Sequence, residues 1–323
     1  MADKAAKPHN GEMIVSASYR TDIPAFYGSW FANRFRAGWA RVVNPYGRQV
    51  SVVPLRQGVD GFVFWTRNAG PFRTVLAEIR RAELPFVVQY TVTGYPRALE
   101  SSVVEADRSV ALIRHLAEDY GPRAVVWRYD PIIFTTLTPA GWHEATFARL
   151  AESLAGAVDE VSVSFATIYR KTERNMAAAA RASRFGWGDP PAEVKLSLLR
   201  RLTELAVARD IKVTLCSQPD CLVAGCEPSR CIDARRLEDV AAGWGRPRSI
   251  AAKLKGNRPG CLCHESRDIG EYDTCPHGCV YCYAVGMRGL AKRRLAGHDP
   301  HSEFLLQPPW WQPGPDVTGL PGL

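Results

Sequence analysis

Short apolar runs alternate with longer amphipathic stretches along most of the chain. Seven runs rich in β-branched and aromatic residues have the length of buried strands: residues 13–17, 40–43, 61–65, 86–92, 124–127, 161–165 and 211–215. Between them, Leu, Ala and Val recur at helical spacing, most clearly in residues 103–117, 143–155 and 193–208. Alternation of strands with helices predicts an α/β fold built on a parallel sheet.

Residues 41–55 depart from this alternation. Here Asn44, Pro45, Tyr46 and Gly47 separate two β-rich pieces with no helical stretch between them. Pro, Asn and Gly are typical of tight turns. The segment therefore predicts a hairpin that extends the second strand.

Polar side chains collect just after the predicted strands. They include Ser16, Ser18 and Arg20; Thr66, Arg67 and Asn68; Arg128, Tyr129 and Asp130; Ser164; and Cys216. In a βα barrel the carboxyl ends of the strands form the active-site mouth. The pattern favours a TIM-like βα barrel, full or partial, over an open doubly wound sheet, whose strand ends also face a ligand crevice. No G-x-G-x-x-G or P-loop motif indicates a nucleotide site.

The composition is that of a globular protein. Hydrophobic residues make up 46% of the 323 positions and charged residues 23%, which excludes a wholly disordered chain. We expect one α/β barrel domain over residues 1–306, with an irregular tail rich in Pro, Gly and Trp over residues 307–323. No run approaches the roughly 20 apolar residues of a membrane span, and residues 1–10 lack the apolar stretch of a secretory signal. We therefore expect a cytoplasmic protein that does not bind membranes.

The nine cysteines carry the clearest chemical signal. In a chain with no export signal, so many thiols indicate metal or redox chemistry rather than disulfides. Cys275, Cys279 and Cys282 form a C-x3-C-x2-C triplet on a stretch that contains proline and glycine. A cluster of four irons held by three thiolates has one iron without a protein ligand, and an open position of this kind distinguishes catalytic from structural metal sites.

Residues 274–284 are similar to the cluster-binding loop of the radical S-adenosylmethionine (SAM) superfamily, especially of spore photoproduct lyase-like proteins, and Tyr281 occupies the aromatic position before the third cysteine. The resemblance implies a [4Fe-4S] cluster on Cys275, Cys279 and Cys282 that cleaves SAM. The resulting 5′-deoxyadenosyl radical would remove hydrogen from an unknown substrate, with electrons from a donor such as flavodoxin or ferredoxin.

Longer stretches resemble the bacterial domain-of-unknown-function family 1848. They are residues 16–24, 63–66, 93–95, 127–131, 231–233 and 266–270. In that family, the positions matching Cys216, Cys231, Cys261 and Cys263 also carry cysteine, which implies an auxiliary iron–sulfur cluster. A structural zinc ion held by four thiolates is the alternative. Cys221 and Cys226 are interpreted as bystanders or as local substitutes in the same site.

The position of the triplet departs from the superfamily, in which the cluster loop usually follows the first strand. Only 41 residues follow Cys282, too few for a barrel. The strands that precede the triplet in the sequence must then form the barrel. We expect the segment that leads into Asp268 to be the strand that carries the loop and to lie beside residues 13–17. This arrangement predicts a circularly permuted radical SAM topology, with the cluster loop after the last strand.

The resemblance also suggests residues that contact the cofactor. Arg128 is predicted to pair with the SAM carboxylate, and Asp130 or Asp22 to accept hydrogen bonds from its amine or ribose. Tyr281 is predicted to shield the cluster or to stack on adenine. Each charged residue has a simpler interpretation as half of a salt bridge within a loop, and no catalytic side chain is assigned.

A competing hypothesis is a zinc-stabilised nucleic-acid-binding protein without radical chemistry, and a third is an iron–sulfur electron carrier. In the zinc hypothesis His277 or His264 completes the triplet's ligands, and basic side chains follow a phosphate backbone. The basic side chains are Arg246, Arg248, Lys253, Lys255, Arg258, Arg288, Lys292, Arg293 and Arg294. No nucleic-acid-binding module is visible, so a small-molecule substrate is favoured over nucleic acid.

Overall fold

The computed structural model describes residues 13–45 and 47–312. The strands in these residues are β1 (Met13–Ala17), β2 (Trp39–Val43), β3 (Val50–Pro54), β4 (Val59–Thr66), β5 (Phe86–Thr91), β6 (Val125–Ile132), β7 (Glu160–Phe165), β8 (Lys212–Leu215), β9 (Cys226–Pro228) and β10 (Ser266–Asp268). Eight of them form one parallel sheet in the order β10-β1-β4-β5-β6-β7-β8-β9. The prediction of a parallel α/β sheet is confirmed.

The helices of the described residues are α1 (Ile23–Phe26), α2 (Gly28–Ala37), α3 (Arg73–Arg81), α4 (Ala106–Tyr120), α5 (Ala140–Leu154), α6 (Arg170–Ser183), α7 (Ala192–Val207), α8 (Ala234–Gly243) and α9 (Arg288–Ala296). Short 3-10 turns occupy Gly70–Phe72, Pro122–Ala124 and Pro219–Cys221. The three helices predicted from residue spacing correspond to α4, α5 and α7. In α5 the buried positions, His143, Phe147, Leu150, Ala151 and Leu154, recur every three or four residues and face the core.

The sheet does not close into a barrel. Across the described residues β9 and β10 form its two edges, and each is only three residues long. One face of the sheet is covered by α8 and the chain after it, because Val63, Val87 and Val126 pack with Leu237 and Val240. This helix occupies the space that further strands would enclose. The expectation of a TIM-like barrel is therefore not confirmed.

The two segments expected to meet in a permuted topology are neighbours. β10 pairs in parallel with β1, and Asp268 lies opposite Ser16. The buried Asp268 carboxylate accepts hydrogen bonds from Ser16 Oγ at 2.6 Å and Ser18 Oγ at 2.8 Å. Asp268 thus joins the ends of both strands at the point where the cysteine loop begins.

The predicted hairpin is confirmed. β2 and β3 pair antiparallel in a separate two-stranded sheet, with Trp39 opposite Pro54 and Val43 opposite Val50. Tyr46 of its turn lies outside the described residues. Of the predicted irregular tail, residues 307–312 form no helix or strand, whereas residues 313–323 lie outside the described part.

The main core lies on the other face of the sheet and is strongly aromatic. Phe31 of α2 contacts Phe62 and Phe64 of β4 edge to face, with ring centroids 5.6 and 5.4 Å apart. Phe72 completes this group against Phe64 at 5.0 Å. Both faces of the central strands are therefore buried, as is typical of parallel sheets. None of the helices described here is both long and apolar enough to cross a membrane.

Candidate functional site

Cys275, Cys279 and Cys282 lie in an irregular loop that follows β10. The loop packs on the segment after β5, since Ser102 N donates to the His277 carbonyl at 3.0 Å and Val280 N donates to the Leu99 carbonyl at 3.0 Å. The three thiols therefore lie at the carboxyl ends of the strands, where the polar residues collect.

The three thiols lie close enough to affect one another. Burial raises the pKa of the Cys275 thiol, and the nearby Asp22, Cys282 and Cys279 raise it further. Burial also raises the pKa of Cys279 to about 12 and raises that of Cys282. These thiols keep their protons unless a cation is bound, and a metal reverses this preference because the thiolate is the ligand form.

Asp22 anchors the loop to the sheet. Its Oδ1 accepts hydrogen bonds from Thr66 Oγ1 at 2.7 Å and Ala25 N at 2.9 Å. Its Oδ2 accepts from Arg67 N and from His277 Nε2, both at 2.8 Å. Protein donors thus occupy both oxygens of a residue that the sequence suggested as a cofactor contact.

The two histidines considered as a fourth ligand of the triplet have other partners. Nε2 of His277 faces Asp22, and its Nδ1 lies 3.5 Å from the Ser102 carbonyl. His264 Nδ1 accepts from Ala234 N at 3.1 Å, at the start of α8. Both of these histidines are therefore engaged by other parts of the chain.

Tyr281 lies between Cys279 and Cys282 in the sequence, and its side chain is buried. Arg67 donates to its hydroxyl at 2.5 Å and to Glu100 Oε1 at 2.7 Å, while the Tyr281 hydroxyl itself donates to Glu100. The ring packs edge to face on Tyr95, with centroids 5.8 Å apart. This buried placement fits the shielding role considered for Tyr281.

Cys216, Cys231, Cys261 and Cys263 form a second group, which we call the four-thiol group. Sγ of Cys216 and Sγ of Cys231 are 3.7 Å apart. Hydrogen bonds from Cys216 and Cys263 lower the pKa of Cys231, and one from Cys263 lowers that of Cys261 to about 5. Residues from three distant parts of the chain therefore bring their thiols together.

Two guanidinium groups lie against the four-thiol group. Arg128 Nη1 donates to Cys231 Sγ at 3.0 Å, and Arg258 Nη2 donates to Cys216 Sγ at 3.3 Å. Arg128 also forms an ion pair with Asp130. Arg128, predicted to contact the cofactor at the triplet, is thus placed against the second group.

Asp130 lies beside the space between the two groups. One of its oxygens is paired with Arg128 and the other accepts from Ser164 Oγ. Burial raises the pKa of Tyr283, as do the charges of Cys282, Asp268, Tyr272 and Asp130. Tyr283 is nevertheless 47% exposed, and its hydroxyl donates to the Tyr19 carbonyl.

The two remaining cysteines make separate contacts. Burial raises the pKa of Cys226 in β9 to about 12, and its Sγ lies 4.0 Å from the Glu227 carbonyl. Cys221 packs against the main core. Both placements agree with their interpretation as bystanders.

Three buried charged residues support the loop without having been given a role from sequence: Arg67, Glu100 and Asp268. Arg67 was placed among the polar strand ends, and Asp268 on the strand that carries the loop. Glu100 carries no such signal, since it lies in the irregular chain after β5.

As they stand, no three His, Cys, Asp or Glu side chains in residues 13–45 and 47–312 are arranged to hold a metal ion. This holds for the triplet and for the four-thiol group alike, so the side-chain positions by themselves identify no occupant at either.

The chain matches the model of the family described as "Domain of unknown function (DUF1848)" over residues 14–284. No curated protein matches it significantly. Among solved structures, it is similar to a mutant of the atrazine chlorohydrolase TrzN from Arthrobacter aurescens TC1 complexed with zinc and atraton. The identity is 14% and the TM-score 0.33, with 68% of this chain and 45% of that chain covered. The chain thus spans less than half of that structure's length.

Proposed function

We propose that this chain, which belongs to the DUF1848 family of unknown function, is a radical SAM enzyme. The proposal rests on the residues of the chain's own site. We assign a [4Fe-4S] cluster to Cys275, Cys279 and Cys282. We assign a second metal centre to the four-thiol group.

The observation that carries this proposal is a set of three thiols on one loop, in which the loop's own histidine, His277, is engaged elsewhere. A structural zinc site needs four protein ligands, and the nitrogens of His277 face Asp22 and Ser102 instead. Three partly buried thiols with raised pKa values, gathered on one loop, match the donor set of a cluster with one open iron.

When bound, such a cluster supplies an open position for the amino and carboxylate groups of SAM, and the electron that splits the sulfonium bond to give a 5′-deoxyadenosyl radical. The chain's own residues hold the loop and keep water out. Asp22 fixes the loop through His277, and Phe26 packs edge to face on that imidazole at 4.6 Å. Tyr281 packs between the loop and the protein interior, against Arg67 and Tyr95.

The proposed cofactor contacts divide between the two groups. Asp22 and Tyr281 support the loop, and Arg128 serves the four-thiol group. Both oxygens of Asp130 are engaged, by Arg128 and by Ser164, so we assign Asp130 to holding Arg128 against the four-thiol group. The substrate is a small molecule of unknown identity, and the electron donor is a protein such as flavodoxin or ferredoxin.

The strand order supports the finer topology. β10 delivers the cysteine loop directly beside β1. We propose a circularly permuted and partial radical SAM barrel, in which the last strand takes the place that the first usually has.

For the second centre, we propose an iron–sulfur cluster, because four cysteine thiolates are the usual ligand set of such clusters. The 3.7 Å between Cys216 Sγ and Cys231 Sγ is close to the edge of a tetrahedral zinc–thiolate site, about 3.8 Å for Zn–S bonds of about 2.3 Å. Zinc is therefore the competing occupant, and iron, sulfide and zinc analysis of the purified protein distinguishes them.

The zinc and nucleic-acid hypothesis loses support from the basic residues. Arg246 pairs with Glu83, Lys255 pairs with Glu265, and Arg258 donates to Cys216. Arg248 and Arg294 donate to backbone carbonyls. Cations engaged in this way are less available to phosphates.

The proposal is tested by reductive cleavage of SAM. The anaerobically reconstituted protein, given dithionite and SAM, should release 5′-deoxyadenosine, measured by mass spectrometry. Cys279→Ala should abolish release, whereas Cys226→Ala, a buried cysteine outside both groups, should retain it. Stoichiometric zinc in a colourless protein, or turnover by Cys279→Ala, would refute the assignment.

A further inference from the structure

Arg67 is buried directly beneath the three-cysteine loop. It follows β4, and its backbone N–H is fixed by Asp22 Oδ2 at 2.8 Å. Its residue exposure is 9%. A charge this far from water needs compensation by partners of opposite sign.

The partners of Arg67 bind it to the loop. The guanidinium donates to Glu100 Oε1 at 2.7 Å and to the Tyr281 hydroxyl at 2.5 Å. Glu100 also pairs with the loop backbone at Cys279, and its Oε1 accepts from Thr93 Oγ1 at 2.8 Å. The ion pair is therefore attached to the loop on both sides of Tyr281.

Both members of the ion pair lie next to the segment that carries Cys279 and Cys282. The guanidinium carbon of Arg67 lies 5.8 Å from the centroid of the Tyr281 ring, and Glu100 forms a backbone bridge with Cys279. A buried charge held next to a cluster shifts its reduction potential in a direction set by the sign of the charge.

We infer that Arg67 is a positioning residue of the three-cysteine loop, which offsets the negative charge of a centre bound there and makes that centre easier to reduce. Glu100 has the opposite influence and keeps the potential from rising further. Charge and hydrogen bonding near cluster sulfurs are known levers on reduction potential. The inference rests on the proposed function, since it requires a redox centre on this loop.

The test compares Arg67→Gln, Arg67→Lys and Glu100→Gln with wild type. The reduction potential is measured by anaerobic redox titration with EPR detection. Only the signal of the reduced protein that changes on addition of SAM is used, because that signal belongs to the centre on the three-cysteine loop. Arg67→Gln should shift the potential to more negative values, Glu100→Gln to more positive values, and Arg67→Lys should shift it least. Arg36→Gln, which removes an exposed partner of Glu78, is the matched control and should not shift it.

Opposite shifts are diagnostic, because simple damage to the loop would move both variants in the same direction or lower their iron content alike. If Arg67→Gln fails to fold, Glu100→Gln, which leaves the Arg67 charge unopposed, carries the test, and an unchanged or more negative potential in it overturns the role of Arg67. Unchanged potentials, or shifts of the same sign in both Gln variants, would overturn the role of Arg67. A wild-type protein with no SAM-responsive signal would instead refute the proposed function itself.

Discussion

At the scale of single residues, Asp22 holds the three-cysteine loop through one carboxylate. Each carboxylate oxygen of Asp22 now accepts two hydrogen bonds. In Asp22→Asn an amide N–H₂ group replaces one of these oxygens, so the buried donors that faced it lose their acceptor. We expect a loss of about 1–3 kcal/mol in the free energy of unfolding and a lower iron content. Urea denaturation and iron analysis measure both.

The matched control for this change is Asp119→Asn. Asp119 is about half exposed and pairs with Arg73 at 3.3 Å, and such a surface pair contributes little. A loss of stability in Asp22→Asn no larger than in Asp119→Asn would contradict the anchoring role of Asp22.

His143 should give the fold an acid-sensitive component. Its Nδ1 accepts from the Tyr129 hydroxyl at 2.9 Å, its Nε2 faces the Ile133 carbonyl at 3.0 Å, and burial lowers its pKa to about 4. The unfolded chain binds the proton from about pH 6.5. Stability should therefore fall as pH drops from 6.5 towards 4, by about 3 kcal/mol in total.

The measurement is urea denaturation across that pH range for wild type and His143→Gln. Glutamine can accept from Tyr129 and donate to Ile133 but does not titrate. Its stability should vary less with pH than that of wild type. Parallel pH profiles would show that His143 does not contribute.

Residue identity pointed to the cysteines of the candidate site but not to the residues that support them. The cysteine spacing indicated the triplet without any knowledge of the fold. Arg67, Glu100 and Asp268 could not be ranked in the same way, because their roles depend on partners brought from distant segments. The same limit applies to Arg128, whose contact with Cys231 spans 103 positions.

At the scale of elements, the cysteine loop depends on a glycine. Gly278 has φ +77, and a Cβ there would lie 2.4 Å from Ser101 Oγ and 2.6 Å from Arg288 Nε. We expect Gly278→Ala to cost about 1–2 kcal/mol from the left-handed backbone alone and to lower iron occupancy. Thermal unfolding and iron analysis check this.

Gly141→Ala supplies the comparison. Gly141 lies in α5, where an added Cβ meets nothing within 4 Å, and alanine favours a helix by up to about 1 kcal/mol. This variant should be neutral or more stable. Equal effects of the two substitutions would remove the claim that the loop requires glycine at residue 278.

Periodicity predicted the three longest helices of the described residues and every strand of the main sheet longer than three residues. All seven apolar runs became strands, because each could bury its side chains within a sheet or hairpin. β9 was missed because its three residues show no alternation to read. β10 was expected only from the position of the loop, since the run Ser266–Asp268 is polar.

At the scale of the whole molecule, the four-thiol group bridges the opening of the sheet. Cys216 follows β8 near one edge, whereas Cys261 and Cys263 precede β10 at the other edge. Closure of the barrel could not be judged from strand patterns, because α8 and the chain after it cover the inner face. A metal centre on these thiols would connect the two edges of the sheet, which are not hydrogen-bonded to each other within the described part of the chain.

Removal of the metal should therefore loosen this region. Hydrogen exchange of the chelated protein should increase in residues 226–232 and 255–268 relative to the reconstituted protein, because metal binding and local folding are coupled. The hairpin of β2 and β3, outside both thiol groups, should exchange at the same rate in both forms. Equal exchange in the thiol segments would contradict a bridging centre.

The central claim is an open iron on a three-thiolate cluster that SAM occupies. The most direct measurement is the EPR spectrum of the reduced protein before and after addition of SAM. We expect SAM to change the signal in wild type and in Cys231→Ala, but not in Cys279→Ala. A spectrum that SAM leaves unchanged in the iron-loaded wild type would contradict the account.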